Sequence, residues 1–275
     1  MKRKGKKIIC LWLASMLLAA GCGKTQESAG FGLAEGESDL SYIKSKGSLV
    51  AGVTDFAPMD YLDGENWAGF DAELAEAFAE SLGVTLELKE IDWDDKTRLL
   101  ENGEIDCIWN GMTMTGELTE SISCSEPYLS NAQVAVMHGE ELERYKTIED
   151  CKHLLFAVEA GSAGEDLLKG KKYRYMTCAT QKEALQSVLD KKADATVIDI
   201  IMAAYNTGDG QEYDGLGFEF SLNDEKICVG FRKGSDVTRE ADAFIQAAYE
   251  DGSIKALAEK YGIENAVLEG DSNGQ

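Results

Sequence analysis

Proline, histidine and basic residues are all scarce in these 275 residues: two prolines, two histidines, and 27 Lys and Arg against 50 Asp and Glu. With only Pro58 and Pro127, no proline-rich linker divides the chain. His138 and His153 stand in no metal-ligand spacing, and no Ser–His–acid set is visible, so zinc hydrolysis and triad-type acyl transfer have no obvious residues here. The formal net charge is −23, and five of the 27 bases fall in the first seven residues. Such a balance argues against nucleic-acid binding, which places Lys and Arg on phosphates, and against charge-driven docking on anionic lipid. Past Cys22 the cysteines are Cys107, Cys124, Cys151, Cys178 and Cys228, an odd number with no CxxC pair. This excludes a disulfide framework and a zinc site. One bridge, Cys151 with Cys178, stays open, while Cys107 and Cys228 lie in apolar runs and read as small core residues.

Long apolar runs are also missing, with one exception. Behind Lys2, Arg3, Lys4, Lys6 and Lys7, residues 8–21 are apolar, too short for a stable span of about 30 Å of hydrocarbon and suited to the h-region of a secretory signal. The run ends in LAAGC (18–22), which resembles a bacterial lipobox. The expected mature chain begins at Cys22, acylated and anchored outside the membrane. Residues 22–40, including TQESAGFGLAEGES, read as a flexible polar tether.

From residue 48 strand-like and helix-like segments alternate. Residues 48–53 are apolar and β-branched. FDAELAEAFAESL (70–82) has helical spacing and stops at Gly83, VTLELKE (84–90) alternates as a strand does, 94–102 is helical, and IDCIW (105–109) is again strand-like. After 132–137, a second round runs through strands at 154–158, 173–177 and 195–198 and helices at 162–169 and 181–189. A last strand at 227–231 precedes helices at 239–249 and 254–261. The alternation predicts an α/β fold with largely parallel sheets, and two rounds predict two lobes. Open α/β sheets bind ligands beyond the carboxyl ends of their strands. The loops at 54–58, 93–95, 110–115 and 159–164, with Asp199, therefore predict a ligand between the lobes.

GVTDFAPMDY (52–61), GFDAELAEAF (69–78), NGEIDCIWNGMTMT (102–115), SEPYLSNAQVAV (125–136), AGSAGE (160–165), ADATVID (193–199), VGFRKGS (229–235) and DGSIKALAEKYG (251–262) occur in this order. Together they resemble the extracytoplasmic solute-binding lipoproteins of polar amino-acid ABC importers, family 3. The resemblance implies a type II periplasmic-binding-protein fold, each lobe a mostly parallel sheet flanked by helices, with two hinge strands. The implied division is a signal peptide at 1–21, the tether at 22–40, lobe one at 41–134 and 225–268, lobe two at 135–224, and a tail at 269–275. It also implies a monomer that closes on a small-molecule solute and is read by a transmembrane permease, with no cofactor, metal or catalysis.

The same resemblance assigns ligand contacts. Phe56 and Trp93 match an aromatic pair that sandwiches the ligand. Asp199 matches an acceptor for a ligand ammonium, although a carboxylate there could equally cap the helix that follows. Asn110, Gly111 and Thr113 belong to a carboxylate-binding stretch in which Gly111 supplies an amide and Thr113 a hydroxyl. Gly161 and Ser162 match donors at the start of a lobe-two helix, where SAGE also reads as a capping box. Asp55 and Glu159 are further acids facing the ligand.

Position 118 departs from the pattern. Relatives commonly run MTxTxxR, whose Arg clamps the ligand's α-carboxylate, but here the run is MTMTGEL. Three carboxylates, Asp55, Glu159 and Asp199, and no evident cation predict a ligand with net positive charge or one lacking a free α-carboxylate. Basic amino acids, amines and amino-acid derivatives qualify. Other functions compatible with this fold are a lipoprotein that signals ligand to a separate receptor, and an enzyme such as a dehydratase.

Overall fold

The computed structural model of the chain describes residue 32 and residues 37–268. The expected signal peptide, the lipidated Cys22, most of the tether and the tail lie outside the described residues. No helix among those described is long and apolar enough to cross a membrane.

The first half contains α1 (Asp39–Lys46), β1 (Ser48–Val53), the hairpin β2 (Tyr61–Asp63) and β3 (Asn66–Ala68), α2 (Phe70–Leu82) and β4 (Thr85–Glu90). It continues through α3 (Lys96–Glu101), β5 (Cys107–Ile108), α4 (Gly116–Ser121), β6 (Ser123–Cys124) and β7 (Leu129–Asn131). The middle supplies β8 (Gln133–His138), β9 (Leu155–Glu159), α5 (Ala163–Lys171), β10 (Arg174–Cys178), α6 (Gln181–Leu189), β11 (Ala195–Asp199), α7 (Ile200–Asn206) and β12 (Leu216–Gly217). The chain then returns through β13 (Glu225–Ile227), β14 (Gly230–Phe231), α8 (Val237–Glu250) and α9 (Ser253–Tyr261).

Two five-stranded sheets define two lobes, ordered β4-β1-β5-β14-β6 and β10-β9-β11-β8-β12. Each has three parallel strands at one side, β4-β1-β5 and β10-β9-β11, and antiparallel pairings at the other. The sheets are thus mixed rather than mostly parallel, because strands that cross or return between lobes must run against the βαβ units. Between the lobes, β7 pairs antiparallel with β13, setting Asn131 opposite Glu225.

The expected single strand at 227–231 is two strands serving different partners. Its Cys228 amide bonds the Met112 carbonyl at 3.0 Å and its Val229 amide bonds Ser125 Oγ at 2.9 Å. At Gly230 a Cβ would come within 2.9 Å of the side chains of Ile122 and Met112, so glycine leaves room for both to pack on β14.

Lobe one is built around α2. Phe70, Leu74 and Phe78 recur at helical spacing and are buried, and the helix ends at Gly83 in the left-handed region. Phe78 lies 5.4 Å from both Trp109 and Phe244 on α8, joining the first half to the returning segment. Burying each such side chain is worth about 1.5–3 kcal/mol. In lobe two, Ala184, Leu185 and Val188 of α6 and Leu168 of α5 are buried the same way. Cys107, Cys124, Cys151, Cys178 and Cys228 are all free thiols, so the Cys151–Cys178 bridge left open by the sequence is not formed.

A buried ion network ties α1 to the returning chain. Arg232 donates to Asp39 at 2.9 and 3.1 Å, to Asp106 at 3.3 Å and to the Ile105 carbonyl at 2.8 Å. Removing one side of a buried charge set leaves the other unpaired. Arg232→Met is expected to lower the unfolding free energy by about 3–5 kcal/mol, measured by urea denaturation of the ligand-free protein.

Candidate functional site

A cavity of about 420 Å³ lies between the lobes, beyond the ends of β1, β5, β9 and β11. All ten residues expected at the ligand reach its wall. Asp55, Phe56, Trp93, Asn110, Gly111 and Thr113 come from lobe one, and Glu159, Gly161, Ser162 and Asp199 from lobe two. The lobes touch across it. Lys182 on α6 pairs with Asp55 at 2.9 Å, Asn206 donates to the Ala57 carbonyl at 3.1 Å, and a Cβ on Gly161 would strike Asp94 at 2.7 Å.

The lobe-one wall rests on a buried polar layer. Asn110 bridges Thr54 and Asp60, accepting from the Thr54 amide and hydroxyl and donating to Asp60 at 2.6 Å. Asp71 accepts from the Gly111 amide at 2.6 Å and from Tyr128 Oη at 2.8 and 2.9 Å. Burial pushes Asp71 up to about 7, and burial together with Asp71 raises Asp60 well above the usual carboxyl range. The Gly111 amide expected to face the ligand is therefore turned inward to Asp71. Gly111 has φ +57, and a Cβ there would sit 2.4 Å from Phe56; its absence lets the Phe56 ring lie over the loop.

Thr113 donates its hydroxyl to Glu225 at 3.1 Å. It also faces Ile227 in an antiparallel bridge whose bonds run from Met114 to Lys226 and from Cys228 to Met112. The Thr113 amide consequently points away from that neighbour.

In lobe two the helix-start donors are largely committed to the chain itself. Ser162 caps α5, accepting from the Glu165 amide at 3.2 Å and donating to the Glu159 carbonyl at 2.8 Å. Glu165 reaches back to the Gly161 amide at 2.8 Å, so that amide too is engaged by the protein. Asp199 does not cap α7. Instead it accepts from Asn131, from Gln133 at 3.1 Å and from Gln181 at 2.6 Å.

The acids dominate electrically. Burial, reinforced by Asp199 and opposed by Lys96 and Gln181, pushes Glu159 up to about 8. Burial likewise lifts Asp199 to about 6, with Gln181 opposing and Glu225 adding to the rise. Sequence reading found these acids but missed Glu117, Glu165 and Asp166 on the same wall, because turn and helix-start acids look like ordinary surface charge.

It also missed a cation. Lys96 falls in a stretch that reads only as helix, yet it is buried on the cavity wall, donating to the Trp93 carbonyl at 3.1 Å and across the cleft to the Gly161 carbonyl at 2.8 Å. A 3₁₀ turn at Trp93–Asp95, capped by Asp92, rotates Lys96 inward beside the Trp93 ring. Arg98, by contrast, is exposed on Asp95 and Glu104. Leu118 lines the cavity on α4 and packs against the cluster containing Trp93 and Met112. Trp93 thus serves as both core and wall.

Two lobes hinged by paired strands around a polar, ligand-sized cavity define a solute-binding protein. The chain belongs to the bacterial extracellular solute-binding proteins, family 3, whose sequence model matches residues 49–264. It is 26% identical over 234 residues to the arginine-binding extracellular protein ArtP of Bacillus subtilis, covering 82% of this chain and 90% of that one. It is also similar to a substrate-binding protein of an ABC uptake transporter from Streptococcus pneumoniae, solved with histidine, at 26% identity and a TM-score of 0.78 over 86% of this chain and all of the other. A cyclohexadienyl dehydratase of Pseudomonas aeruginosa shares 30% identity over 173 residues, 61% of this chain and 65% of the other. The family therefore includes binding proteins and at least one enzyme.

Glu159 is buried and its folded-state value lies above its unfolded one, so its contribution to stability is present below about 4.5 and lost as pH rises through about 8. Glu159→Gln is expected to gain on the wild type, ligand-free, across that window, at up to about 1.4 kcal/mol per pH unit. Paired denaturant titrations at pH 5, 6.5 and 8 measure the gap, which should widen with pH.

Proposed function

We propose that the protein captures a small polar solute, an amino acid or amino-acid-like molecule with a cationic group, and delivers it to an ABC importer permease. The observation that carries this reading is the excess of buried acid in the cleft, Glu159 and Asp199 above all. In the ligand-free cavity the carboxyls resist ionisation because burial and mutual repulsion oppose it. A bound cation supplies the missing counter-charge, and the aromatic faces of Phe56 and Trp93 on the same wall favour a cation or a planar guanidinium. Binding should then release protons from Glu159 and strengthen with pH.

Anchoring through an acylated Cys22 would keep the binding protein near its permease. A monomer suffices, because one chain contributes both lobes of the cleft. Glu159 also has the raised pKa of an acid–base catalyst, and the likeness to a dehydratase makes solute conversion the second reading. Recovering the solute unchanged after prolonged incubation favours transport.

The test is calorimetry and thermal shift on residues 23–275 with L-arginine, L-lysine, L-histidine, L-cystine and L-glutamate. The basic amino acids should bind, adding about 2.7 kcal/mol of stability at 100 times their Kd, with affinity rising up to about tenfold per unit between pH 6 and 8. Tight glutamate binding would overturn the cationic reading.

A further inference from the structure

We infer that Lys96 receives the carboxylate of the bound solute, so that the solute is an amino acid keeping its free carboxylate and carrying additional positive charge. This rests on reading the cleft as an amino-acid site and specifies which end of the solute goes where.

Lys96 is 6% exposed. An ammonium has three N–H donors, and two are spent on the carbonyls of Trp93 and Gly161. Neither acceptor carries charge, and among the described residues no carboxylate forms an ion pair with Lys96. Burial draws its pKa down, while Glu159, Asp94, Asp166 and Glu117, all at longer range, draw it up. The ammonium also lies 4.8 Å from the centre of the Trp93 ring, so every partner in contact with it is neutral, and an anion at that spot would supply the missing counter-ion.

The surroundings suit a carboxylate. Gly161, which accepts from Lys96, precedes α5, a nine-residue helix. Ala163 lines the cavity in its first turn, and its amide has no acceptor within the helix. A carboxylate on the third donor of Lys96 would therefore meet the positive end of the helix as well. Lys169, the other lysine on the cavity wall, is exposed on α5, which leaves Lys96 as the buried cation of the site. Position 118 offers only the apolar side chain of Leu118. With the anion at Lys96, the acid pair Glu159 and Asp199 is left for the cationic groups.

The experiment compares solutes that differ only in the carboxylate: L-arginine with agmatine, L-lysine with cadaverine, and L-histidine with histamine. Each is titrated calorimetrically into wild type, Lys96→Met, and Lys96→Met combined with Leu118→Arg. In the wild type the amino acid should bind more tightly than its amine. Lys96→Met should weaken the amino acid about 30-fold or more while leaving the amine within about threefold. Adding Leu118→Arg should restore preference for the amino acid, which a merely structural role for Lys96 would not produce. Equal wild-type affinity for acid and amine, or equal weakening of both by Lys96→Met, overturns the inference while leaving the amino-acid reading intact. Failure of all six to bind the wild type overturns that reading as well.

Discussion

The cleft depends on one short pairing, that of β7 with β13 between the lobes. The register places Asn131 opposite Glu225. Glu225 then accepts from Thr113 of lobe one, from Asn131 on the hinge and from Gln133 at the start of the lobe-two sheet. Asn131 and Gln133 donate in turn to Asp199. A one-residue slip would turn these side chains to the other face, separating the base of the site from both lobes. The same contacts that join the lobes therefore also set Asp199 at the cleft.

From that base the site is an exercise in placing charge where water is scarce. Burial raises Glu159, Asp199 and Asp71, and the protein answers with neutral donors: Asn131, Gln133 and Gln181 around Asp199, and Tyr128 and the Gly111 amide around Asp71. Amide donors favour the ionised carboxylate without supplying a counter-charge, so burial still holds Glu159 and Asp199 above the usual carboxyl range. Lys96 is the exception, a buried cation held by carbonyls from both lobes. Several amides that a bare helix start or glycine loop would offer a ligand are already engaged by Asp71 and Glu165.

Much of this was legible in the residues. Apolar spacing outlined α2 and α6 at their observed limits, and the loops after β1, β5 and β9 were expected at the ligand. Ten named positions do gather at one cavity. Legibility failed where local pattern and tertiary role part. The run 227–231 reads as one strand because apolarity does not report a change of partner sheet. Lys96 reads as an ordinary helix residue because its orientation comes from a 3₁₀ turn too short to show in periodicity. The commitment of Gly111 and Gly161 amides was invisible because their acceptors, Asp71 and Glu165, are chosen by packing.

The sequence by itself determined the class of fold and the shortage of a guanidinium at position 118, since strand–helix alternation and residue identity are local facts. Only the tertiary structure decided which charges share the cavity. Burial and distance control a charge's energy, and neither is a property of position along the chain. That is why Asp55 meets Lys182 from a helix 127 residues away, and why the buried cation of the cleft stands on α3 rather than at position 118.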